Sequence, residues 1–460
     1  MRPLMLTTLL AGTALAPFPT HATELIVKPS AIFDTVIYGD DAGGEGTHMI
    51  QEALGIYNVH GGHEHEGEGA EAGGGHSHGG TLDRGFNFRG AELAINAQLT
   101  GWLDGRFLFT TDGKDDEVEE AWLRTQFLPG GLQLKGGKMF SDVGYMNSQH
   151  PHAWDFVDAA LPYQMLLGGN LGGIGLQANW IAPTPFYLRF GAEALTGDNQ
   201  GIAAHVGSQY GFETSSGGVA DVSFEDKPRW PNVWTAFVKG GGEIAANHEI
   251  LGGLSWIHSG HHQELHQFHP GINDADHGLE GEVSMWGADV LYKFDAAGAD
   301  GQGDIKVQAE YWRQNKDMTL TFHETKPWNL GMPRDLTVDG AYVQALYGIA
   351  PRWQIGLRYD IAGMTHKAVR SGAPTSCAPP YQAIPCPRQT SEFDSMDRIS
   401  AVATWNISHN QRLRLQLSHA SVPVGEDING DGKDEAVRKT FNQVFLQYQI
   451  GLGAHGAHGF

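Results

Sequence analysis

From about residue 28 onward the chain alternates between apolar and polar positions. Over Trp353–Ile361 the odd positions are Trp353, Ile355, Leu357, Tyr359 and Ile361, and the even ones are Gln354, Gly356, Arg358 and Asp360. Arg412–Ser418 does the same, with Leu413, Leu415 and Leu417 set between Arg412, Arg414, Gln416 and Ser418. Gln443–Leu452 follows suit except at Phe445. Strict alternation gives one apolar and one polar face, which a strand provides and a helix does not. The same template predicts about sixteen strands. They fall near 28–38, 87–99, 103–111, 117–127, 131–140, 172–182, 185–195, 232–240, 248–258, 283–294, 304–315, 338–348, 352–361, 397–407, 411–420 and 439–452.

The connections between these strands alternate in length. Leu128–Gly130, Ala182–Thr184 and Ser408–Asn410 are short, whereas 39–86, 141–171, 196–231, 259–282, 316–337, 362–396 and 421–438 are long. A soluble sandwich has no reason to sort its loops by parity, but an outer-membrane barrel does. The predicted fold class is all-β: a transmembrane antiparallel β-barrel of about sixteen strands, with short periplasmic turns and long extracellular loops. Trp180, Trp234, Trp256, Trp286, Trp353 and Trp405 lie near strand ends, as interfacial girdles require. Phe460, the last residue, suits the terminal aromatic of such barrels. Met1–Ala22 reads as a secretory signal peptide, with Arg2 ahead of a short apolar run, leaving 23–460 as a single barrel in the outer membrane.

Composition narrows the function. There are 63 glycines in 460 residues, about twice the usual share, as a chain of many turns needs. The formal net charge of −23, without any Lys/Arg cluster, argues against nucleic-acid binding. Two cysteines exclude a disulfide framework and a Cys-rich zinc domain. Cys377 and Cys386 share one predicted outside loop, where an oxidising compartment favours their pairing. No metalloprotease H-E-x-x-H occurs, and the G-x-S-x-G string at Gly75–Gly79 lies in the predicted loop 39–86 rather than at a strand-to-helix elbow, so the chain is not expected to be an enzyme.

Histidine is concentrated in the long loops. His60, His63, His65, His76 and His78 crowd the first, and His258, His261, His262, His266, His269 and His277 crowd another. Imidazole with neighbouring carboxylates is a natural ligand set for Zn²⁺, here expected to bind with low affinity. His262, His266 and His269 are spaced to share one face of a short loop helix. Asp427, Asn429 and Asp431 begin like a calcium loop, but Arg438 stands where the bidentate Glu belongs. Bound Ca²⁺ and a plain Asx-rich turn both remain open there. The polar strand face, with Glu120, Arg124, Arg189, Glu310, Arg358, Arg412 and Arg414, is expected to line a lumen that is water-filled or plugged by a loop.

At Asn147-Ser148-Gln149-His150-Pro151-His152-Ala153-Trp154-Asp155-Phe156-Val157-Asp158, and in the His-rich loop before Gly85-Phe86, the sequence resembles the zinc-regulated outer-membrane family often labelled TonB-dependent. Leu132–Phe140 and the segment after it are more weakly similar to phosphate-selective porins. The resemblance implies a part in zinc uptake under zinc limitation. A TonB-dependent receptor carries a plug domain ahead of a 22-stranded barrel, and here strand-like alternation starts directly after the signal peptide. The expectation is a porin-like channel for zinc or a related ion, requiring no cofactor. The alternatives are a TonB-dependent-type zinc receptor, or a surface metal-binding protein that uses the barrel only as an anchor. Expected partners are outer-membrane lipid, the barrel-assembly machinery and metal ions, with a homo-oligomer possible in principle.

Overall fold

The computed structural model describes residues 24–53, 81–197, 199–206, 210–213, 219–222, 224–226, 228, 230–266, 277–323, 330–370, 389–426 and 435–453. The leader, His60, His63, His65, His76, His78, His269, Cys377, Cys386, Asp427, Asn429, Asp431 and Phe460 lie outside the described residues.

The alternating segments form strands β1 (Leu25–Asp40), β2 (Gly85–Leu99), β3 (Leu103–Thr111), β4 (Asp116–Thr125), β5 (Leu132–Phe140), β6 (Gly172–Ile181) and β7 (Tyr187–Leu195). A small hairpin follows, β8 (Tyr210–Glu213) with β9 (Val219–Val222). The wall resumes with β10 (Val233–Ala245), β11 (His248–His266), β12 (His277–Phe294), β13 (Ile305–His323), β14 (Pro333–Ala350) and β15 (Trp353–Arg370). It ends with the short β16 (Gln389–Glu392), then β17 (Met396–Ser408), β18 (Gln411–Glu426) and β19 (Glu435–Gly453). Setting β8, β9 and β16 aside, each strand pairs antiparallel with the next, β7 meets β10 and β15 meets β17. β19 then pairs with β1, from Ser30 opposite Gly453 to Asp40 opposite Gln443, so sixteen strands close on themselves. Closure leaves no sheet edge, the condition for crossing lipid with strands. No helix among the described residues is long and apolar enough to cross a membrane.

Burial follows the alternation. Leu357 is 60% exposed on the outer face while Arg358 beside it is 2% exposed on the inner one. Phe33, Leu93, Ile174, Leu254, Leu357, Leu417 and Leu446 are among the large apolar side chains standing outward around the wall. All six predicted girdle tryptophans face outward too. Trp353 stacks on Trp405 near the short turns, and Trp256 sits opposite Trp286 toward the long loops. An apolar outer belt edged by aromatics, around a charged interior, is the surface of a protein whose solvent is lipid.

Several strands run further toward the long loops than alternation alone indicates. β11 continues to His266 and β12 begins at His277, so the predicted loop 259–282 is largely strand. Within the first long loop, helix α1 (Gly46–Ala53) packs against β18 and β19. Phe445, the one break in the β19 pattern, turns inward and packs with Val36, Tyr38 and Val157.

Candidate functional site

The segment 141–171 between β5 and β6 folds into the barrel, so the lumen is of the loop-plugged kind. Its ends are fixed where Phe140 pairs with Gly172. At the entry, the Ser141 hydroxyl and the Asp142 backbone N–H both donate to Glu193, and Arg189 pairs with Asp142. Lys239 donates to the Gly144 carbonyl at 2.6 Å. Gly144 has φ +59°, and a Cβ there would stand 2.5 Å from Glu310 and 2.6 Å from both Trp312 and Tyr163, so the turn requires glycine. Glu310 receives four donors: the backbone N–H groups of Tyr145 and Met146 and the hydroxyls of Tyr163 and Tyr342.

The other half of the wall holds the segment with cations. Lys306 meets Asp155 at 2.8 Å, Arg412 donates to the His152 carbonyl, and Arg414 donates to the carbonyls of Trp154 and Phe156. Arg358 and Arg398 both clasp Asp158, at 2.6 and 2.5 Å, and both also reach Asp360. Burial opposes ionisation of Asp158, but Arg398 and Arg358 outweigh it and hold the carboxyl down to about 2. Asp360 also accepts the Leu161 N–H, at the start of helix α2 (Leu161–Leu167). That helix packs against β13, β14 and β15 and ends on Gly168 in the left-handed region. Its apolar residues join inward-facing Val283, Met285, Trp312 and Val338 in one core inside the barrel.

A third anchor joins two histidines to the wall. The β3–β4 register slips between Leu108 and Phe109, and this bulge buries the consecutive residues Glu119 and Glu120. His150 lies between them, Nδ1 2.9 Å from Glu119 and Nε2 2.7 Å from Glu120, while His152 Nδ1 is 2.7 Å from Glu92. Burial disfavours a charged His150, yet the two carboxylates more than offset it and push the imidazole up to about 9.

All seven predicted lumen residues are on the inner face. Glu120, Glu310, Arg358 and Arg414 are buried against the segment rather than bathed in water. Arg124, which pairs with Asp104, together with Arg189 and Arg412, is only partly buried. A cavity of about 700 Å³ opens at the short-turn end, with Tyr145, His152 and Asp155 of the inner segment among its lining.

At the long-loop end the second histidine cluster divides. His262 and His266 sit in strand β11, not on a helix, because the pairing of His262 with Gly281 and His266 with His277 extends the sheet through them. His258 is on the outer face, stacked beside Trp256. His262 Nδ1 accepts from the Ala204 N–H and its Nε2 is 2.8 Å from Glu264, so both ring nitrogens are engaged. Glu264 is shared with His266 and the buried Lys316, whose ammonium occupies the place a cation would take. His266, His277 and His323 form a row across three strands, ring centres 4.9 and 6.1 Å apart. Among the described residues, the group able to hold a metal is a different one: Glu225, His261 and Glu280 bring one ligand atom each within 4.8 Å of one another. Glu280 is opposite Gln263 while His262 is opposite Gly281, so this triad lies across the wall from His262 and Glu264.

Sequence reasoning missed Glu225, because no regular element marks it, and His323, which is remote in sequence and reaches the row only through sheet register. Glu119 was missed as well, although the break in alternation at two consecutive glutamates could have marked it. Asp158 and Arg398 needed the fold, since neither lies near the other along the chain.

No established family profile matches the chain. Among solved structures it is similar to the trimer form of OmpT, an outer membrane protein of Vibrio cholerae, at 10% identity and TM-score 0.49 over 93% of this chain and 99% of that one. It is also similar to the outer membrane channel DcaP of Acinetobacter baumannii, at 11% identity and TM-score 0.46 over 94% and 97%. OprB of Pseudomonas putida gives 11% and 0.46 over 93% and 94%. In sequence, the chain is 30% identical over 411 residues to an uncharacterized protein of Aquifex aeolicus (strain VF5), spanning 88% of this chain and 74% of that one. With that identity over that length, the chain belongs to the same family as the Aquifex aeolicus protein.

Proposed function

We propose that the chain is a porin-like channel of the bacterial outer membrane that admits zinc or a chemically related divalent ion. The closed wall of sixteen strands, apolar outside and charged inside, supports the channel reading. The Glu225–His261–Glu280 triad supports the choice of ion, since one imidazole with two carboxylates suits a borderline divalent metal. The triad lies beyond the Trp256–Trp286 pair, on the long-loop side, where it would meet ions before the lumen does. Flux of zinc into vesicles carrying the refolded barrel tests the reading. His261→Ala should lower zinc uptake at limiting zinc while leaving the conductance for potassium chloride unchanged. Equal zinc uptake by the two proteins would refute the role of the triad.

The packed inner segment favours a second reading, in which the barrel anchors a surface metal-binding protein. Planar-bilayer recording separates the two: a lumen closed at every voltage and zinc concentration would leave only the anchor.

A further inference from the structure

The connection from β7 to β10 touches the inner segment at one end of the stretch 199–206 and the strand that carries His261 at the other. On the reading of Glu225, His261 and Glu280 given above, we infer that this stretch is a strap through which an ion at the triad holds the inner segment in place. The barrel is latched when the triad is full and freed when it is empty. At the inner end, Asn199 donates to the Asn170 carbonyl at 3.3 Å. Gly201 lies against the last turn of α2, where a Cβ would stand 2.1 Å from the Leu166 carbonyl oxygen. The buried Gln314 amide of β13 donates to the carbonyls of both Leu166 and Gly201, at 3.0 and 2.9 Å. One wall side chain thus holds the helix end and the strap together, and Ile202 and Ala203 are buried in the same core as α2.

At the outer end the strap is bonded to the two residues that follow His261. The Ala204 N–H donates to His262 Nδ1 at 3.0 Å, and the Ala204 carbonyl accepts the Gln263 N–H at 3.0 Å. The buried Gln263 side chain accepts the Val206 N–H at 2.9 Å and donates to the Glu225 carbonyl at 2.8 Å. Its amide therefore grips the strap with one atom and the Glu225 turn with the other. The Glu225 N–H donates to Glu280 at 3.1 Å, and Val206 packs with Phe224 and Leu265. Glu225 comes from the connection, His261 from β11 and Glu280 from β12, so the three ligands meet only while the connection lies on the wall. An ion that binds this docked arrangement better than the lifted one must stabilise it by the same factor. Plentiful ion outside then fastens the strap over the end of α2, and scarcity loosens it.

The test reads binding and latching separately, on full-length refolded barrel in detergent. Equilibrium dialysis against Zn²⁺ compares the parent with His261→Ala, and the variant should hold one ion fewer. Hydrogen exchange of the amides in 161–171 is then followed with and without saturating Zn²⁺. Zinc should slow it by at least about fivefold in the parent and leave it unchanged in His261→Ala. Gly201→Val drives the strap off α2 without touching the triad, so it should keep the ion and lose the zinc response. Mobility of unboiled protein in gel electrophoresis confirms that each variant is folded. Equal ion counts in the parent and His261→Ala overturn the triad itself, and the latch with it. An ion that binds without slowing exchange in the parent overturns the latch alone. So does a zinc response that survives in folded Gly201→Val, and if that variant does not fold, the parent and His261→Ala decide.

Discussion

Asp158→Asn measures how tightly the inner segment is held. In the docked segment the Asp158 carboxyl is held down to about 2 from its ordinary 3.8. That difference corresponds to about 2.5 kcal/mol of preference for the ionised, docked form. A carboxyl lowered in the docked state stabilises docking fully above about pH 4, and this contribution is lost as pH falls toward 2. Asn removes it at every pH, so the undocked fraction at pH 7 should rise roughly 70-fold. The loss is larger, toward about 3–5 kcal/mol, if Arg358 and Arg398 are left sharing Asp360 without relaxing, because both guanidiniums are buried. Hydrogen exchange of the amides in 141–171, measured in detergent, reads the opening directly. Protection there should fall by about two orders of magnitude in the variant, with the strand amides unchanged. Exchange in 141–171 within threefold of the parent would refute the reasoning, as would a parallel loss in the wall. The parent protein should approach the variant's exchange as pH is lowered from 4 to 2, once intrinsic rates are corrected.

Gly144→Val should disorder the entry of the inner segment, because its first side-chain atom would meet Glu310, Trp312 and Tyr163 at 2.5–2.6 Å. The expected result is raised and noisier single-channel conductance from a barrel that still folds, and an unchanged trace would count against the tight turn. Leu357→Arg puts a charge in the outer apolar belt and should cost about 2–4 kcal/mol in reversible unfolding from lipid vesicles. A loss below about 0.5 kcal/mol would mean that this face does not meet lipid.

Much of the wall was legible because lipid and lumen impose opposite demands on alternate residues of every strand. Leu357 and Arg358 announce their faces through chemistry alone, and so do Leu415 and Arg414. Three departures came from contacts that alternation does not encode. Phe445 broke the pattern because Val157, far away in the chain, meets it inside. β11 ran past His258 because β12 continues opposite it, so histidines spaced for a helical face became part of a sheet. The inward faces of β12 and β13 include Val283, Met285 and Trp312, which contradict a polar lumen until the packed inner segment is known. The site was less legible than the wall for the same reason. His150, Asp158, Arg358 and Arg398 belong together only after the segment has folded across the barrel, and Glu225 meets His261 through a loop without periodicity.

The two ends of the inner segment leave and rejoin the wall at paired residues, Phe140 and Gly172, of adjacent strands. Those strands remain bonded to each other whether the segment is docked or not, so its release need not breach the wall. A released segment stays tethered at two neighbouring points, with an effective concentration at its berth in the millimolar range. Return is therefore a first-order event, independent of protein concentration and of any second molecule. Whatever opens this barrel acts against a latch that resets itself.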